Sequence, residues 1–441
     1  MSTEGGEITI RREIPPSEIR ANLMSKFQAN LNVLHPKIME SKAKEVAPRQ
    51  RPLVTVAVSL WEEDESLLTG KMFGEALLNL RNQAGNSGID LDFVIVANNG
   101  GGKTEELGNK MISNLEKSLK VSFGQDNYHK INTVNLGQSS DPAIPWSAEI
   151  PLSMPRLSGQ DRCFFVAQPR NKSNEGKIRA LRDVSHILYD EMLLGYTPDA
   201  IFQMDAETIL EYKPTHLTLR KQPFRAMYDA LKRREGVVAI GVKDRLEVMN
   251  PKTGKPLSIT RPIAQELITL NNTGKRENFV SLTGGAILAE PDYYVAGMKA
   301  ITEVTYGNVA EDNMFTQMLR EYAKTRNDQE TVKVNSLNAI TSLNRSPQGD
   351  AAIQQVLRWR EQGNAVDQIF PDLKYNYKPL VKYMRKLFRS RLKAAGGSKS
   401  EFLSQAIKDT RNFPGILRIA RSKKTRDLLN GKPGWEHSGK R

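Results

Sequence analysis

The sequence predicts an α/β fold with a mostly parallel sheet, and two patterns carry that reading. Short apolar, Val- and Ile-rich runs bounded by turn residues recur along the chain, which is how strands buried on both faces present themselves. Between them lie segments whose apolar residues repeat at helical spacing, so strand and helix alternate. The composition agrees. A chain of 441 residues, 39% hydrophobic and 26% charged, is globular rather than disordered or collagenous and is long enough for about two or three domains.

Taken in order, residues 1–50 read as a polar leader with one peripheral helix over 17–34, whose Ile19, Leu23, Phe27, Leu31 and Leu34 share a stripe. The main body, 51–370, opens with the strand LVTVAVSL at 53–60, between Pro52 and an acidic turn. A helix over 71–83 leads through a Gly/Asn turn at 85–88 to a second strand, 91–97, which ends on Asn98, Asn99 and three glycines. A helix over 104–119 follows, then a variable stretch holding Pro142, Pro145, Pro151 and Pro155. Further strands are expected at 163–167, 200–204, 237–242 and 282–289, and helices at 177–194, 311–324 and 351–360. Residues 371–441 form a basic, helical extension. No internal repeat interrupts this order.

The net charge of +14 is unevenly placed. Residues 373–441 hold 19 Lys and Arg against four acids, a net +15, so the rest of the chain is close to neutral. Within the extension, Leu380, Val381, Met384, Leu387, Phe388 and Leu392 recur at helical spacing among Lys382, Arg385, Lys386, Arg389, Arg391 and Lys393. That pattern suits an interfacial helix over 380–393 on an anionic membrane surface, or a helix packed on the body with its charges in water. Nucleic acid is a less favoured partner, because the basic charge is confined to this appendage. A lone Cys163 and five scattered histidines exclude a disulfide framework and a Cys-based zinc site. No apolar run of about 18 residues and no signal-peptide pattern is found. The expected location is cytoplasmic, with peripheral attachment at the inner face of the membrane.

Three constellations could carry chemistry. Asp205-Ala206-Glu207 follows an apolar strand directly, so its carboxylates project where open α/β sheets bind ligands. Hard oxygens there suit Mn or Mg that also touches diphosphate, although such pairs are common in plain surface turns. Glu311-Asp312 opens a helix, where acids favour the dipole. A carboxylate in that place could also take a proton from an attacking hydroxyl. Gln355 and Arg358 lie three apart on one helical face and can meet one anionic group, and the neighbouring Trp359 offers a flat surface for a sugar ring. An ordinary amphipathic helix explains the same spacing.

In this order the motifs resemble family 2 glycosyltransferases with the GT-A fold, in particular the catalytic domains of cellulose, chitin and hyaluronan synthases, over roughly 53–370. Asp205-Ala-Glu207 is similar to the DxD motif, Asn174-Glu-Gly176-Lys177 to the NxGKxxAL segment, Glu311-Asp312 to the ED motif, and Gln355, Arg358 and Trp359 to QxxRW. Leu282-Thr-Gly284-Gly285-Ala286 and the following 290–297 resemble the acceptor-side strand and a helix ending in Gly297. The resemblance implies a nucleotide-sugar-binding, Rossmann-like sheet. Ser59, Asn98, Asn99, Lys177, Asp205, Gln355 and Arg358 would stand around the donor, Gly284, Gly285 and Trp359 around the acceptor, with Asp205 and Glu207 as metal ligands and Asp312, with Glu311, as the catalytic acids. The implied reaction is metal-dependent, inverting transfer from a nucleoside-diphosphate sugar, first of all a UDP-sugar, to a hydroxyl of a glycan or lipid-linked acceptor.

Two positions depart from the family. Asn98-Asn99-Gly100-Gly101 replaces the usual acid pair that contacts base and ribose, which leaves the base open, and the metal motif ends in Glu207 instead of Asp. The membrane spans through which processive relatives extrude polymer are lacking. Two other readings stay open. Residues 97–104, ANNGGGKT, satisfy a relaxed Walker A pattern and would cradle ATP phosphates, though Ala97 stands in place of the first glycine. A catalytically inactive docking module that uses the basic extension is the other.

Overall fold

The computed structural model describes residues 15–44, 50–60, 71–98, 146–156, 159–168, 197–206, 208–212, 222–248, 285–305, 311–325 and 332–346, with residues 113, 134–135, 180–181, 184–185, 188–189, 282, 366 and 368–371. One ten-stranded sheet organises them, in the order β3-β4-β5-β2-β1-β6-β9-β8-β10-β7. The strands are β1 Leu53–Leu60, β2 Asp90–Asn98, β3 Val134–Asn135, β4 Trp146–Arg156, β5 Gly159–Gln168, β6 Ala200–Asp205, β7 Ile209–Tyr212, β8 Val237–Val248, β9 Ala286–Ala289 and β10 Lys333–Ser346. Pairing of β5 with β2, β2 with β1, and β1 with β6 is parallel. Because β9 is antiparallel to both β6 and β8, and β10 is parallel to β8, those strands keep the same sense. Only β4, β7 and β9 oppose it. The α/β class with a mostly parallel sheet is the observed one.

Among the described residues, helices α1 Pro16–Lys44, α2 Lys71–Asn86, α3 Pro223–Arg233, α4 Pro291–Val304 and α5 Glu311–Thr325 pack on the sheet. They divide the apolar residues into two cores. On one face Val54, Val56, Val58, Phe202 and Met204 meet α2 and α3, with the Phe202 and Phe224 rings edge to face at 5.2 Å. On the other, Ala57, Val94, Val96 and Ile201 meet α1, α4 and α5. The alternating side chains of β1 and β6 thus feed opposite layers, as pleated strands require. Helical positions Ala180, Leu181, Val184 and Leu188, inside the expected 177–194 helix, are also buried, three of them in the second core.

Several expectations are revised. The N-terminal helix runs 29 residues, to Lys44, and is not peripheral. Leu23, Phe27, Leu31, Leu34 and Ile38 are buried against α4 and α5, and the Phe27 ring meets Tyr322 edge to face at 5.2 Å. Lys26 with Glu303, His35 with Asp292, and Arg20 with Glu321 pair along the same seam, and Arg20 also lies over the Phe370 ring. The polar impression came from the outer face of an amphipathic helix. The proline-punctuated stretch contains β4, and its ladder to β5 shifts register between Pro151 and Pro155. Among the described residues β3 pairs only with Ala148 and Glu149, so no described strand flanks Pro151 and Pro155 on that side, the setting in which a strand tolerates proline. The 282–289 strand is shorter than expected, at Ala286–Ala289. The 351–360 helix and the basic extension with its 380–393 segment lie outside the described residues.

Gly297 is a packing glycine in the middle of α4, not the helix end that the resemblance implies. A Cβ placed there would lie 2.5 Å from Phe315 Cε2 and 2.8 Å from Met318 Cε, both on α5 and both fully buried. The missing side chain lets α4 and α5 approach. Gly297→Ala should therefore destabilise by about 1–3 kcal/mol through overpacking, in spite of the better helix propensity of alanine. Urea unfolding of the two proteins checks this.

Tyr228, on α3, gives a second prediction. Burial above all, with the nearby charges of Asp199 and Glu290, pushes its phenol well above the usual tyrosine range. The folded chain therefore holds this proton after the unfolded chain, whose phenol titrates near pH 10, has lost it. The contribution to stability is complete below about pH 10 and falls as pH rises beyond it. Thermal melts from pH 8 upward should show a shallower alkaline decline for Tyr228→Phe than for the native chain.

Candidate functional site

The chain leaves β1 toward β2 on one side and later returns to lay β6 on the other side of β1. This reversal makes a crevice beyond the carboxyl ends of β1 and β6, the place where open α/β sheets receive ligands. Asp205 is the last residue of β6, half-buried, and pairs in register with Ser59 of β1. Ser59 in turn pairs with Val96 of β2, whose last residue, Asn98, lies opposite Gln168 of β5. Three residues assigned from the sequence to the donor, Ser59, Asn98 and Asp205, thus end adjacent strands on one edge.

The chain turns sharply after Asp205. The Thr208 N–H donates to the Asp205 carbonyl at 3.0 Å, and Thr208 is buried, so the strand cannot continue and its terminal carboxylate is left at the edge. Beside it, β9 runs the opposite way, with Ala286 paired to Met204. The buried Gly285, just before Ala286, therefore lies next to the Asp205 end of β6.

The first turn of α5 is tied to the segment that enters β9. The Leu282 N–H donates to Thr316 Oγ1 at 3.0 Å, and the Thr316 hydroxyl donates to the Asp312 carbonyl at 2.8 Å. One threonine thus joins the segment entering β9 to the turn that carries Glu311 and Asp312. Glu311 is 7% exposed and Asp312 half-buried, and Asp312 Oδ1 accepts the Asn313 N–H at 2.7 Å. Acids in this turn offset the helix dipole. On α4, Gly297 opens the close contact that seats Phe315, the residue before Thr316.

Of the residues assigned from the sequence, Ser59, Asp205 and Gly285 therefore belong to one strand-end edge and Asn98 closes a strand on it, while Glu311 and Asp312 open the helix that Thr316 ties to Leu282. Asn99, Lys177, Glu207, Gly284, Gln355, Arg358 and Trp359 lie outside the described residues, as does 99–104 of the Walker-like segment. Among the described residues no group of three or more Asp, Glu, His or Cys side chains comes together as a metal site. Asp205 offers one hard carboxylate at a ligand-binding edge. That fits a divalent ion held by one or two carboxylates and completed by substrate phosphate, not a site built from protein ligands alone.

Sequence reasoning missed the Leu282–Thr316–Asp312 link, because a hydrogen bond between residues 34 apart has no local signature. It also missed Gln203. A glutamine inside the apolar run Ala-Ile-Phe-Gln-Met was the available signal. Gln203 is 1% exposed, and its Oε1 accepts the hydroxyl of the fully buried Tyr294 at 2.8 Å.

No protein-family model matches the chain, and no curated protein does. Among solved structures, the mannosyltransferase PcManGT from Pyrobaculum calidifontis, in complex with GDP-Man and Mn2+, is similar at a TM-score of 0.36 and 12% identity, over 96% of this chain and 97% of that one. Among the described residues no helix is long and apolar enough to cross a membrane.

Proposed function

We propose that the chain is an inverting glycosyltransferase of GT-A type that takes a sugar from a nucleoside diphosphate, first of all UDP, to an acceptor hydroxyl. The observation that carries the reading is convergence: Ser59, Asp205 and Gly285, far apart in sequence, meet at one strand-end edge on the switch between β1 and β6, and Thr316 ties the Glu311–Asp312 turn to the segment that enters β9. Donor-side and base-side carboxylates on a single crevice are what sugar transfer requires.

In this reading the nucleotide lies across the ends of β1 and β2, near Ser59, Asn98 and Asn99. Asp205, with Glu207, would hold Mn or Mg, which neutralises the diphosphate as it departs. Lys177 and Arg358 add positive charge to the same leaving group, and Gln355 fixes its orientation. Asp312 takes the proton of the acceptor hydroxyl as that oxygen attacks the anomeric carbon opposite the departing diphosphate, which inverts the configuration. Gly284 and Gly285 leave room for the acceptor next to Asp205, and Trp359 supports its ring. The acceptor is a glycan or a lipid-linked hydroxyl, and the 380–393 segment brings the chain to an anionic membrane surface.

A thermal-shift series with UDP, GDP, ADP and ATP, each with and without Mn2+ or Mg2+, tests the donor. Stabilisation by UDP or GDP that grows with metal is expected. A response to ATP with Mg2+ alone would transfer the reading to the phosphate-cradling loop at 97–104. Flotation with vesicles with and without anionic lipid tests the 380–393 segment, and failure of the full chain to float removes that part.

A further inference from the structure

Three polar atoms beneath this edge have no hydrogen-bond partner: Thr55 Oγ1, Ser59 Oγ and Gln203 Nε2. They are neighbours. Thr55, Ala57 and Ser59 alternate onto one face of β1, while Gln203 and Asp205 occupy the same face of β6, in the register Thr55 to Ile201, Ala57 to Gln203 and Ser59 to Asp205. That face is covered, since Ala57 and Ile201 belong to the core with Tyr294, and Tyr294 itself bonds Gln203. Because a phenol can donate or accept, either orientation of the Gln203 amide leaves one polar end unsatisfied.

Buried polar groups in folded proteins are almost always paired, with ordered water where no protein group reaches them. Ser59 and Gln203 stand diagonally across adjacent strands, with Cα atoms about 8 Å apart from the strand spacing and rise. The glutamine arm, the serine hydroxyl and a water making two bonds of about 2.8 Å close that distance. We propose that Gln203 is a positioning residue which, anchored by Tyr294, holds a buried water on the Ser59 hydroxyl and so fixes the end of β1 beneath the crevice. The role in ligand binding rests on the nucleotide-sugar reading above; the hydrated seam does not.

The test is the double variant Gln203→Leu with Tyr294→Phe, which removes both polar ends together and so avoids stranding either. A high-resolution crystal structure of the native chain should show water density touching Gln203 and Ser59, and the variant should lack it. The variant should melt within a few degrees of the native temperature, since the apolar replacement of the Gln–Tyr pair offsets the Ser59 hydroxyl left without its water, yet bind the stabilising nucleoside diphosphate about three- to tenfold more weakly. A purely structural pair would move stability and leave that affinity alone. Absence of the water from the native chain overturns the proposal whether or not nucleotide binds. Native affinity in the double variant overturns the positioning role. A native chain that holds the water but binds no nucleoside diphosphate refutes the donor reading and leaves the seam in place.

Discussion

Asp205→Asn should reduce glycosyl transfer by at least about 10²-fold and remove the metal-dependent part of nucleotide binding, while the fold is kept. The substitution keeps the size of the side chain and removes its charge. Asp205 ends β6, its backbone carbonyl already receives the Thr208 N–H, and an asparagine there keeps both the turn and the pairing with Ser59. What is lost is a hard anionic oxygen at the crevice, which a divalent ion needs and an amide replaces poorly. Calorimetric titration of the preferred nucleoside diphosphate with and without Mn2+ separates the effects. The native chain should gain affinity with metal, and the variant should bind at the metal-free level in both cases. Equal metal enhancement in the two proteins would remove Asp205 from the metal site.

How far the fold and the site were legible in the sequence follows from the range of the interactions involved. Buried parallel strands announce themselves locally, and β1, β2, β5 and β6 were all expected within a few residues of their observed ends. The β4 strand was not, because Pro151 and Pro155 are loop signals unless a neighbouring edge spares their missing N–H groups, and that depends on the length of β3. The helix α1 was found but taken as peripheral; its apolar stripe was visible, and its partners on α4 and α5, more than 250 residues later, were not. The candidate site behaves in the same way. Asp205 was legible because a carboxylate closing an apolar strand is a local pattern. That Asp205 and Gly285 share an edge depends on β9 pairing antiparallel to β6, and the tie of the Asp312 turn to the segment before β9 depends on a bond from Leu282 to Thr316, neither of which any short window contains. Gly297 shows the converse. Its position was noticed, but as a helix end, whereas its role comes from the Phe315 ring of another helix.

Asp312→Asn should lower turnover by about 10²–10⁴-fold while nucleotide affinity and melting temperature stay close to native. Asp312 is preferred to Glu311 as the base on exposure: Glu311 is 7% exposed and faces the core packing of α5, whereas Asp312 is half-buried and accessible to an acceptor. An asparagine in its place retains an oxygen that can accept the Asn313 N–H, so the first turn of α5 keeps that bond and forfeits a charge–dipole contribution of about 0.3–1 kcal/mol. The amide cannot take up the acceptor proton. Thr316→Val makes the contrasting comparison. It leaves both carboxylates intact but strands the buried Leu282 N–H, at a cost of about 1–3 kcal/mol, and frees the turn from β9. A base loses rate without stability, and a tether loses stability first. If Asp312→Asn turned over at the native rate, Asp312 would be a helix-capping acid only, and proton removal would have to come from another group at the edge.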